Sequence, residues 1–310
     1  MIEVDRLTKR FGSVTAVDDV SFTVRPGHVT GFLGPNGAGK TTTLRLIVGL
    51  GTPTSGRTLV GGRPYVGLVR PMHEAGVLLD ATALHPGRTA WQHARSVARS
   101  NGIGRQRVTE VLRLTGIETA AHRRVGGFSL GMKQRLGIAV ALLGDPPVLM
   151  FDGPVNGLDA EGIRWIRTFL RDLAAQCRTV LVSSHLMSEM AQTADRLIII
   201  ARGRLLADTT TARLTGSHAH QDVLVRSPQA PELSRRLAAR GAAVTPQDDG
   251  AIVVTGMDAA AIGDLAAGHG IALHALVPRR ASLEEAYLNL TGDSADYRSE
   301  TPVPEGLPAR

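Results

Sequence analysis

Residues 29–42 read VTGFLGPNGAGKTT, an apolar run that ends at Leu33 and passes directly into a glycine-rich loop. The loop satisfies the pattern G-x-x-x-x-G-K-[ST] in the context that this pattern requires, between a strand and a helix. Glycines at 34, 37 and 39 let successive backbone N–H groups turn inward, and a helix beginning near Lys40 adds its positive dipole end. The stretch therefore predicts a phosphate-binding loop.

The side chains at the end of this loop predict a triphosphate and its metal ion as ligands. Lys40 is placed to reach the β- and γ-phosphates, and the Thr41 hydroxyl to ligate Mg²⁺, which prefers hard oxygen ligands. A second apolar run, residues 148–151, ends on Asp152, and an aspartate at the end of a buried strand can hold Mg²⁺ with its water shell. The predicted ligands are ATP and Mg²⁺, and the predicted loop contacts are Gly34, Pro35, Asn36, Gly37, Ala38, Gly39, Lys40, Thr41 and Thr42.

Around these two runs, short apolar segments alternate with helical patterns as far as residue 213, which is typical of an α/β fold with a largely parallel sheet. Further buried strands are predicted at 179–183 and 197–201. The middle of the domain carries apolar residues at helical spacing. It predicts a mainly helical subdomain at about 85–145, with helices at 90–101, 105–115 and 131–143.

The pattern restarts near residue 220 and predicts a small α+β domain over 220–292, of a ferredoxin-like type. The first domain is predicted to cover residues 1–215. The polar, proline-bearing segment 293–310 predicts a disordered tail. In the small domain, strands are predicted at 223–226, near 243, at 251–255 and at 271–277, and helices at 231–240, 258–268 and 283–290.

Composition excludes several classes of protein. The most apolar segment, 136–151, is interrupted by Gly144, Asp145 and two prolines, so no membrane span of about 20 residues is expected. The N-terminus lacks the pattern of a secretory signal, so we expect a cytoplasmic protein. A single cysteine, Cys177, excludes an intramolecular disulfide, and the pair His218 and His220 is interpreted as solvated loop rather than as a metal site.

The chain is basic, with a formal net charge of +7, which permits nucleic acid or an anionic membrane as a neighbour. The excess is almost entirely arginine, because Lys9, Lys40 and Lys133 are the only lysines. The arginines are scattered along the chain, which is more typical of a solvated surface than of a binding patch.

The order of motifs resembles the nucleotide-binding domain of ABC transporters. Besides the loop and Asp152, the chain contains FSLGMKQR at 128–135, NGLD at 156–159, and His185 after a buried strand. The resemblance implies a cassette that sandwiches MgATP between two subunits. It also implies that Phe11 stacks on adenine, that Ser129, Gly131, Gln134 and Asp159 contact nucleotide, with the serine and glycine reaching the γ-phosphate held by the other subunit, and that His185 senses the γ-phosphate.

Two positions depart from the family pattern. Asp80 aligns with a glutamine that contacts Mg²⁺ and the attacking water, and a carboxylate oxygen can still ligate the metal. Gly153 occupies the place of the glutamate that acts as general base, and glycine cannot accept a proton. Because a positioned base contributes about 10² to 10⁴ in rate, slowed hydrolysis is expected rather than lost binding, unless Asp159 or Glu161 substitutes for the base.

The variant signature, with Leu130 and Met132, resembles the cassettes of daunorubicin-resistance-type exporters, as do residues 83–90 and 282–287. The resemblance implies export of a drug-like or antibiotic compound through a separate ABC-2-type permease, with the chain on the inner face of the membrane. One alternative is a degenerate cassette that binds ATP with little hydrolysis. Another is a soluble nucleic-acid or translation factor, although such proteins usually carry two cassettes. Homodimer and heterodimer both remain open, as does the role of the C-terminal domain.

Overall fold

The computed structural model describes residues 1–217 and 222–279. The chain forms two compact units, Met1–Ser217 and His218–Arg310. The predicted helix at 283–290, the predicted tail at 293–310, the exporter-like stretch 282–287 and the pair His218 and His220 lie outside the described residues. Within those described, no helix has the length and apolar character needed to cross a membrane.

The first unit alternates strands and helices. Its helices are α1 (Lys40–Ile47), α2 (Pro71–Glu74), α3 (Ala90–Ser100), α4 (Arg105–Leu114), α5 (Leu130–Ala141), α6 (Ala160–Ala175), α7 (Met187–Thr193) and α8 (Thr211–Ser217), with short 3₁₀ turns at Tyr65–Gly67, Glu118–Ala120 and Val125–Gly127. Its strands are β1 (Ile2–Phe11), β2 (Val14–Val24), β3 (Val29–Leu33), β4 (Ser55–Val60), β5 (Ala75–Leu78), β6 (Val148–Asp152), β7 (Thr179–Ser184), β8 (Arg196–Ala201) and β9 (Arg204–Thr210).

A six-stranded sheet in the order β5-β6-β7-β3-β8-β9 forms the centre of this unit. The first five strands are parallel, and β9 pairs antiparallel with β8. Every residue of β3 and β7 is buried, as expected for strands covered on both faces. The four strands predicted from apolar runs are neighbours in this sheet, so the prediction of one parallel core is confirmed.

The register of this sheet brings three strand ends to the same edge. Leu33 pairs with Ser184, and Asp152 pairs with Ser183, so β3, β6 and β7 finish side by side. Because the chain leaves parallel strands at their carboxyl ends, the glycine loop, Asp152 and His185 all begin at this edge.

A second, antiparallel sheet in the order β2-β1-β4 packs against the first. Side chains from both sheets and from α1 share one core, in which the rings of Phe22 and Phe32 lie with centroids 5.4 Å apart. This sheet differs from the sequence analysis, which assigned no strands to residues 1–24. Its role is to cover the face of the parallel sheet beside the glycine loop.

Helices α3, α4 and α5 form the helical part of the unit, between β5 and β6 in sequence. Thr89 begins α3 with a capping box, because its side chain accepts from the Gln92 N–H while Gln92 reaches back to the Thr89 N–H. Ala90, Ala94 and Ala98 lie on the buried face of α3. The prediction of helices here is confirmed, although α5 begins one residue earlier than expected because Ser129 caps it.

The second unit contains β10 (Asp222–Arg226), α9 (Ala230–Ala239), β11 (Ala243–Pro246), β12 (Ile252–Thr255), α10 (Ala259–Gly268) and β13 (Ala275–Arg279). The strands form an antiparallel sheet in the order β11-β12-β10-β13, the β-α-β-β-α-β arrangement of ferredoxin-like domains. The strand predicted at 271–277 begins later, at Ala275. Ile271 is instead buried in the core of this unit, and pairing starts only where Ala275 meets Arg226.

Candidate functional site

A cavity of about 370 Å³ opens at the carboxyl edge of β3, β6 and β7. The glycine loop forms one wall, and the residues that follow β6 and β7 form the other. The lining residues are Ala16, Asn36, Gly37, Gly39, Lys40, Thr41, Thr42, Leu79, Asp152, Gly153, Asn156, Ser183, Ser184 and His185. The structure therefore brings together the glycine loop, Asp152 and His185, three elements that the sequence analysis selected separately.

Glycine is required at specific points of the loop. Gly37 and Gly39 have φ angles of +80° and +102°, in the left-handed region that disfavours residues with a Cβ. A Cβ on Gly34 would lie 2.4 Å from the carbonyl oxygen of Ile200, and one on Gly39 would lie 2.4 Å from that of Ala16. The loop can therefore hold this curvature only with glycine at these positions.

The first amide groups of α1 face the cavity. The helix begins at Lys40 directly after Gly39, and no side chain among the described residues caps it. The free N–H groups of a first helical turn, together with the helix dipole, form a site for an anion. This geometry fits the phosphates of a nucleotide.

Lys40 places a cation over the same loop. Its Nζ donates to the carbonyl oxygens of Gly34 at 2.6 Å and Pro35 at 2.9 Å. Partial burial lowers the pKa of Lys40, while the nearby Asp152 carboxylate opposes that shift. The ammonium is thus held at the cavity wall by groups of its own loop.

Thr41 and Asp152 are in direct contact. The Thr41 hydroxyl donates to Asp152 Oδ2 at 2.6 Å, and the Ser183 hydroxyl donates to Asp152 Oδ1. A hydroxyl beside a carboxylate is a set of hard oxygen donors that fits Mg²⁺. Within residues 1–217 and 222–279, no group of three His, Cys, Asp or Glu side chains could hold a metal ion.

Gly153 is fixed on both sides of its peptide. Its N–H donates to the Ser183 carbonyl and hydroxyl oxygens, both at 3.1 Å, and its carbonyl oxygen accepts from Gln134 Nε2 at 3.3 Å. Its φ angle is +58°, and a Cβ at this position would lie 2.4 Å from Nδ2 of Asn156. The position predicted to lack the general base is therefore also one where the backbone disfavours a side chain.

Ser129, Gly131 and Asp159 line a second cavity, of about 660 Å³. Ser129 caps α5 by accepting from the Met132 N–H at 3.2 Å, and Asp159 caps α6 by accepting from the Gly162 N–H at 2.8 Å. Glu161 lines this cavity as well. Asp159 and Glu161 therefore lie apart from Gly153, and neither lines the first cavity of its own subunit.

Arg135 forms a wall of this second cavity. Its guanidinium lies 3.9 Å from the centre of the Trp165 ring and donates to the Thr115 carbonyl oxygen at 3.0 Å. Stacking on an aromatic face fixes a guanidinium without neutralising it. The second cavity thus presents both a helix N-terminus and an oriented cation.

Six predicted site residues line neither of these two cavities: Gly34, Pro35 and Ala38 of the glycine loop, and Phe11, Asp80 and Gln134. Gln134 is buried and donates to the Gly153 carbonyl oxygen. Within its own subunit it therefore fixes the backbone at Gly153 and does not line the cavity itself. Phe11 is 57% exposed at the end of β1, with Lys9 Nζ 4.9 Å from its ring centre, and its stacking on adenine stays a prediction.

Asp80 also differs from its predicted place. Its carboxylate accepts from the Thr82 hydroxyl at 2.6 Å and from the Thr82 N–H at 2.7 Å, and these bonds lower the pKa of Asp80. Because β5 ends at Leu78, the next residue, Leu79, lines the first cavity, while Asp80 turns to a different, largely apolar cavity. The metal contact of Asp80 stays a prediction.

Asn156, Ser183 and Ser184 also line the first cavity, and no site role was predicted for any of them. The sequence contains a signal for the two serines, because two hydroxyls directly after the apolar residues 180–182 of a buried strand are unusual. Asn156 lies in the NGLD motif of residues 156–159. Its proximity to Gly153 depends on the turn between them and on the backbone conformation of that glycine.

Comparison with known proteins identifies two matching family models and several similar proteins. A family model described as ABC transporter matches residues 17–156, and one described as a domain of unknown function matches residues 221–284. An uncharacterized ABC transporter ATP-binding protein of Bacillus subtilis, YhcH, is 41% identical over 66% of this chain and 68% of its own length. The bacitracin transport ATP-binding protein BcrA of Bacillus licheniformis is 39% identical over 67% of this chain and 69% of its own.

A solved structure supports the same comparison. The dimeric structure of MJ0796, a bacterial ABC transporter cassette, matches with a TM-score of 0.63 and 25% identity, over 68% of this chain and 99% of that one. The first unit of the chain therefore shares both sequence and fold with cassettes of this kind.

Proposed function

Because this chain belongs to the ABC transporter family as an ATP-binding subunit with ABC-type ATPase activity, we propose that it drives export of a drug-like or antibiotic compound through a separate ABC-2-type permease. The name of the bacitracin transport relative supports an antibiotic as the class of substrate. So does the signature variant with Leu130 and Met132. The chain would then act at the inner face of the membrane, held there by its permease.

The observation that carries the proposal is the convergence of Lys40, Thr41 and Asp152 on one cavity. ATP would place its phosphates against the glycine loop and the first turn of α1, with Lys40 at the β- and γ-phosphates. Thr41 and Asp152 are the residues that would hold Mg²⁺, which neutralises charge on the phosphates when it is bound. His185 would donate a hydrogen bond to the γ-phosphate from the opposite wall.

A second nucleotide-binding subunit is the partner that this arrangement favours. The glycine loop and the Ser129 helix terminus line different cavities, so a single copy cannot surround one nucleotide with both. Two copies arranged face to face would place the second cavity of one against the first cavity of the other. The dimeric relative supports this partner, which can be a second copy or a different cassette.

The surface for the permease is proposed to be the largely apolar third cavity, of about 480 Å³, that also contains Asp80. It is lined from the sheet side by Val77 and Leu78 of β5 and from the helical side by Gly137 and Val140 of α5. A segment docked here would contact both parts of the cassette and could transmit their relative motion. The domain at 220–292 would be an accessory module, either regulatory or passive.

Transport in inside-out vesicles tests the proposal. Vesicles containing the full chain and the permease that copurifies with it should accumulate an antibiotic when MgATP is added, and Lys40→Ala should abolish accumulation. A chain that copurifies with no membrane protein, or that supports no ATP-dependent accumulation of any tested compound, would contradict the export function.

Gly153 favours a second candidate, a cassette that uses ATP binding to hold its dimer together and hydrolyses it little. Steady-state phosphate release by the purified chain separates the two. Turnover that is measurable and lost in Lys40→Ala favours the transport ATPase, whereas tight MgATP binding with no turnover favours the binding module.

A further inference from the structure

The volume beside Gly153 is already occupied by another side chain. A Cβ built on Gly153 would lie 2.4 Å from Nδ2 and 3.2 Å from Cγ of Asn156. The Asn156 amide therefore fills the space where a side chain at position 153 would begin. Both residues line the first cavity, together with Lys40, Asp152 and His185.

A tight turn fixes the amide at this point. The Asn156 N–H donates to the Gly153 carbonyl oxygen at 3.0 Å, and the Gly153 N–H is anchored on Ser183. The turn uses the positive φ of Gly153, so the same backbone that disfavours a side chain at 153 presents Asn156 to the cavity. Gly153 and Asn156 therefore depend on the same turn.

The amide is free to bind something in the cavity. No hydrogen bond joins the Asn156 side chain to any group in the part of the chain that the structure describes, although the side chain offers two donors and an acceptor. Its neighbours in the cavity wall include Lys40 and His185, which we propose to contact the γ-phosphate of bound ATP. A water molecule beside that phosphate is the group that such an amide can hold.

From this placement, and resting on the ATPase activity stated above, we infer that Asn156 positions the attacking water in place of a carboxylate base. The water oxygen bonds to the γ-phosphorus, the bond from phosphorus to the β,γ-bridging oxygen breaks, and ADP leaves. The amide orients the water but takes no proton, so the proton released ends on phosphate oxygen or in solvent. A glutamine amide plays this orienting part in small GTPases.

Four variants of the full purified chain test the inference: Asn156→Ala, Asn156→Asp, Lys40→Ala and, as a matched control, Asn101→Ala. Asn101 lies at the end of α3, where its amide donates to the Val97 carbonyl oxygen, away from the cavity. Steady-state phosphate release gives kcat and KM, equilibrium binding of MgATP gives affinity, and circular dichroism checks the fold.

Asn156→Ala should lower kcat by up to about 100-fold, the loss typical of a misplaced reactant, with the KM and the ATP affinity little changed. Asn156→Asp should raise kcat above wild type, by up to about 100-fold, because it places a carboxylate base against the same water. Asn101→Ala should turn over like wild type.

The pH dependence adds a signature that a merely structural role would not give. Lys40, Asp152 and His185 are the titratable side chains lining the same cavity, and they are common to wild type and variant. A fall in the kcat of Asn156→Asp at low pH that the wild type does not show would therefore be caused by protonation of the introduced carboxylate.

The inference is overturned if folded Asn156→Ala turns over like wild type, if Asn156→Asp gains neither rate nor this fall in kcat at low pH, or if wild type turns over no faster than Lys40→Ala. None of these measurements needs a permease. A failure of transport in vesicles, with these rate changes intact, would count against the export function alone.

Discussion

The Thr41 hydroxyl donates a hydrogen bond of 2.6 Å to Asp152 Oδ2, although 111 residues separate them in the chain. The contact joins the first turn of α1 to the end of β6, two of the elements that line the cavity. It depends on the parallel register that sets Asp152 beside Ser183 and Leu33 beside Ser184. The sheet topology, rather than any local sequence, therefore assembles the oxygen donors.

Asp152→Ala should lower kcat by about 100-fold or more, because it removes the carboxylate that would hold the metal against the phosphates. The variant should also lose the Mg²⁺ dependence of ATP affinity, which a titration of nucleotide binding at varied Mg²⁺ measures. Asp172→Ala, at an exposed aspartate on α6, is the control. An unchanged Mg²⁺ dependence in Asp152→Ala would show that the metal lies elsewhere.

Gly153→Glu should destabilise the chain by about 1–3 kcal/mol, since it forces a side chain into the left-handed region and against Asn156. Thermal and urea unfolding measure the loss. Gly104→Glu is the control, because a Cβ there meets no atom within 4 Å and its φ is negative. The double variant Gly153→Glu/Asn156→Ala should recover turnover better than Gly153→Glu alone. If Gly153→Glu and wild type have equal free energies of unfolding, the predicted strain at position 153 is wrong.

Ser129→Ala should retain ATP binding but lose ATP-dependent dimer formation, which sedimentation of the chain with and without MgATP detects. It should also cost about 1 kcal/mol of unfolding free energy, since a helix cap is removed. Thr89→Ala removes a comparable cap, from α3, without touching the second cavity, so it should lose stability and keep dimerisation. If both variants dimerise alike, Ser129 has no role beyond capping.

Asp145 supplies a prediction about pH. Burial raises the pKa of Asp145, but hydrogen bonds and charge from Arg178 and Arg107 outweigh burial and hold it below its ordinary value of 3.8. A carboxyl group with a lowered pKa in the folded state stabilises that state above its unfolded pKa. The contribution is lost as the pH falls through the folded pKa, below about 4.

Asp145→Asn should therefore reduce the unfolding free energy near neutral pH by at most about 1 kcal/mol, since the group is largely exposed. The difference from wild type should shrink as the pH falls below 4. Asparagine suits the test because Asp145 has a φ of +52°, which asparagine tolerates. A constant difference from pH 7 to pH 3 would contradict the charge-based account.

The sequence predicted the parallel core and the phosphate loop well, because both depend on local signals. Val29–Leu33 is an uninterrupted apolar run, and it forms β3 with the predicted bounds. The antiparallel sheet of β1, β2 and β4 was missed, since these long strands contain bulges that interrupt the alternation of apolar and polar residues.

The parts of the site that depend on the type of a side chain could be predicted from the sequence. The parts that depend on backbone geometry could not. Lys40, Thr41 and Asp152 were identified from their types and spacing. The turn after β5 that removes Asp80 from the cavity, and the turn that brings Asn156 to Gly153, depend on a few φ and ψ angles. Such angles have no simple signature in the order of side chains.

The left-handed backbone at position 153 also limits how this protein can be changed by mutation. A glycine codon can become a glutamate codon through one base change, yet the product would meet Asn156 and an unfavourable conformation. An asparagine codon can become an aspartate codon through one base change as well, with no such penalty. A genetic selection for faster ATP use should therefore find codon 156 before codon 153, and should recover glutamate at 153 chiefly as the second of two linked changes.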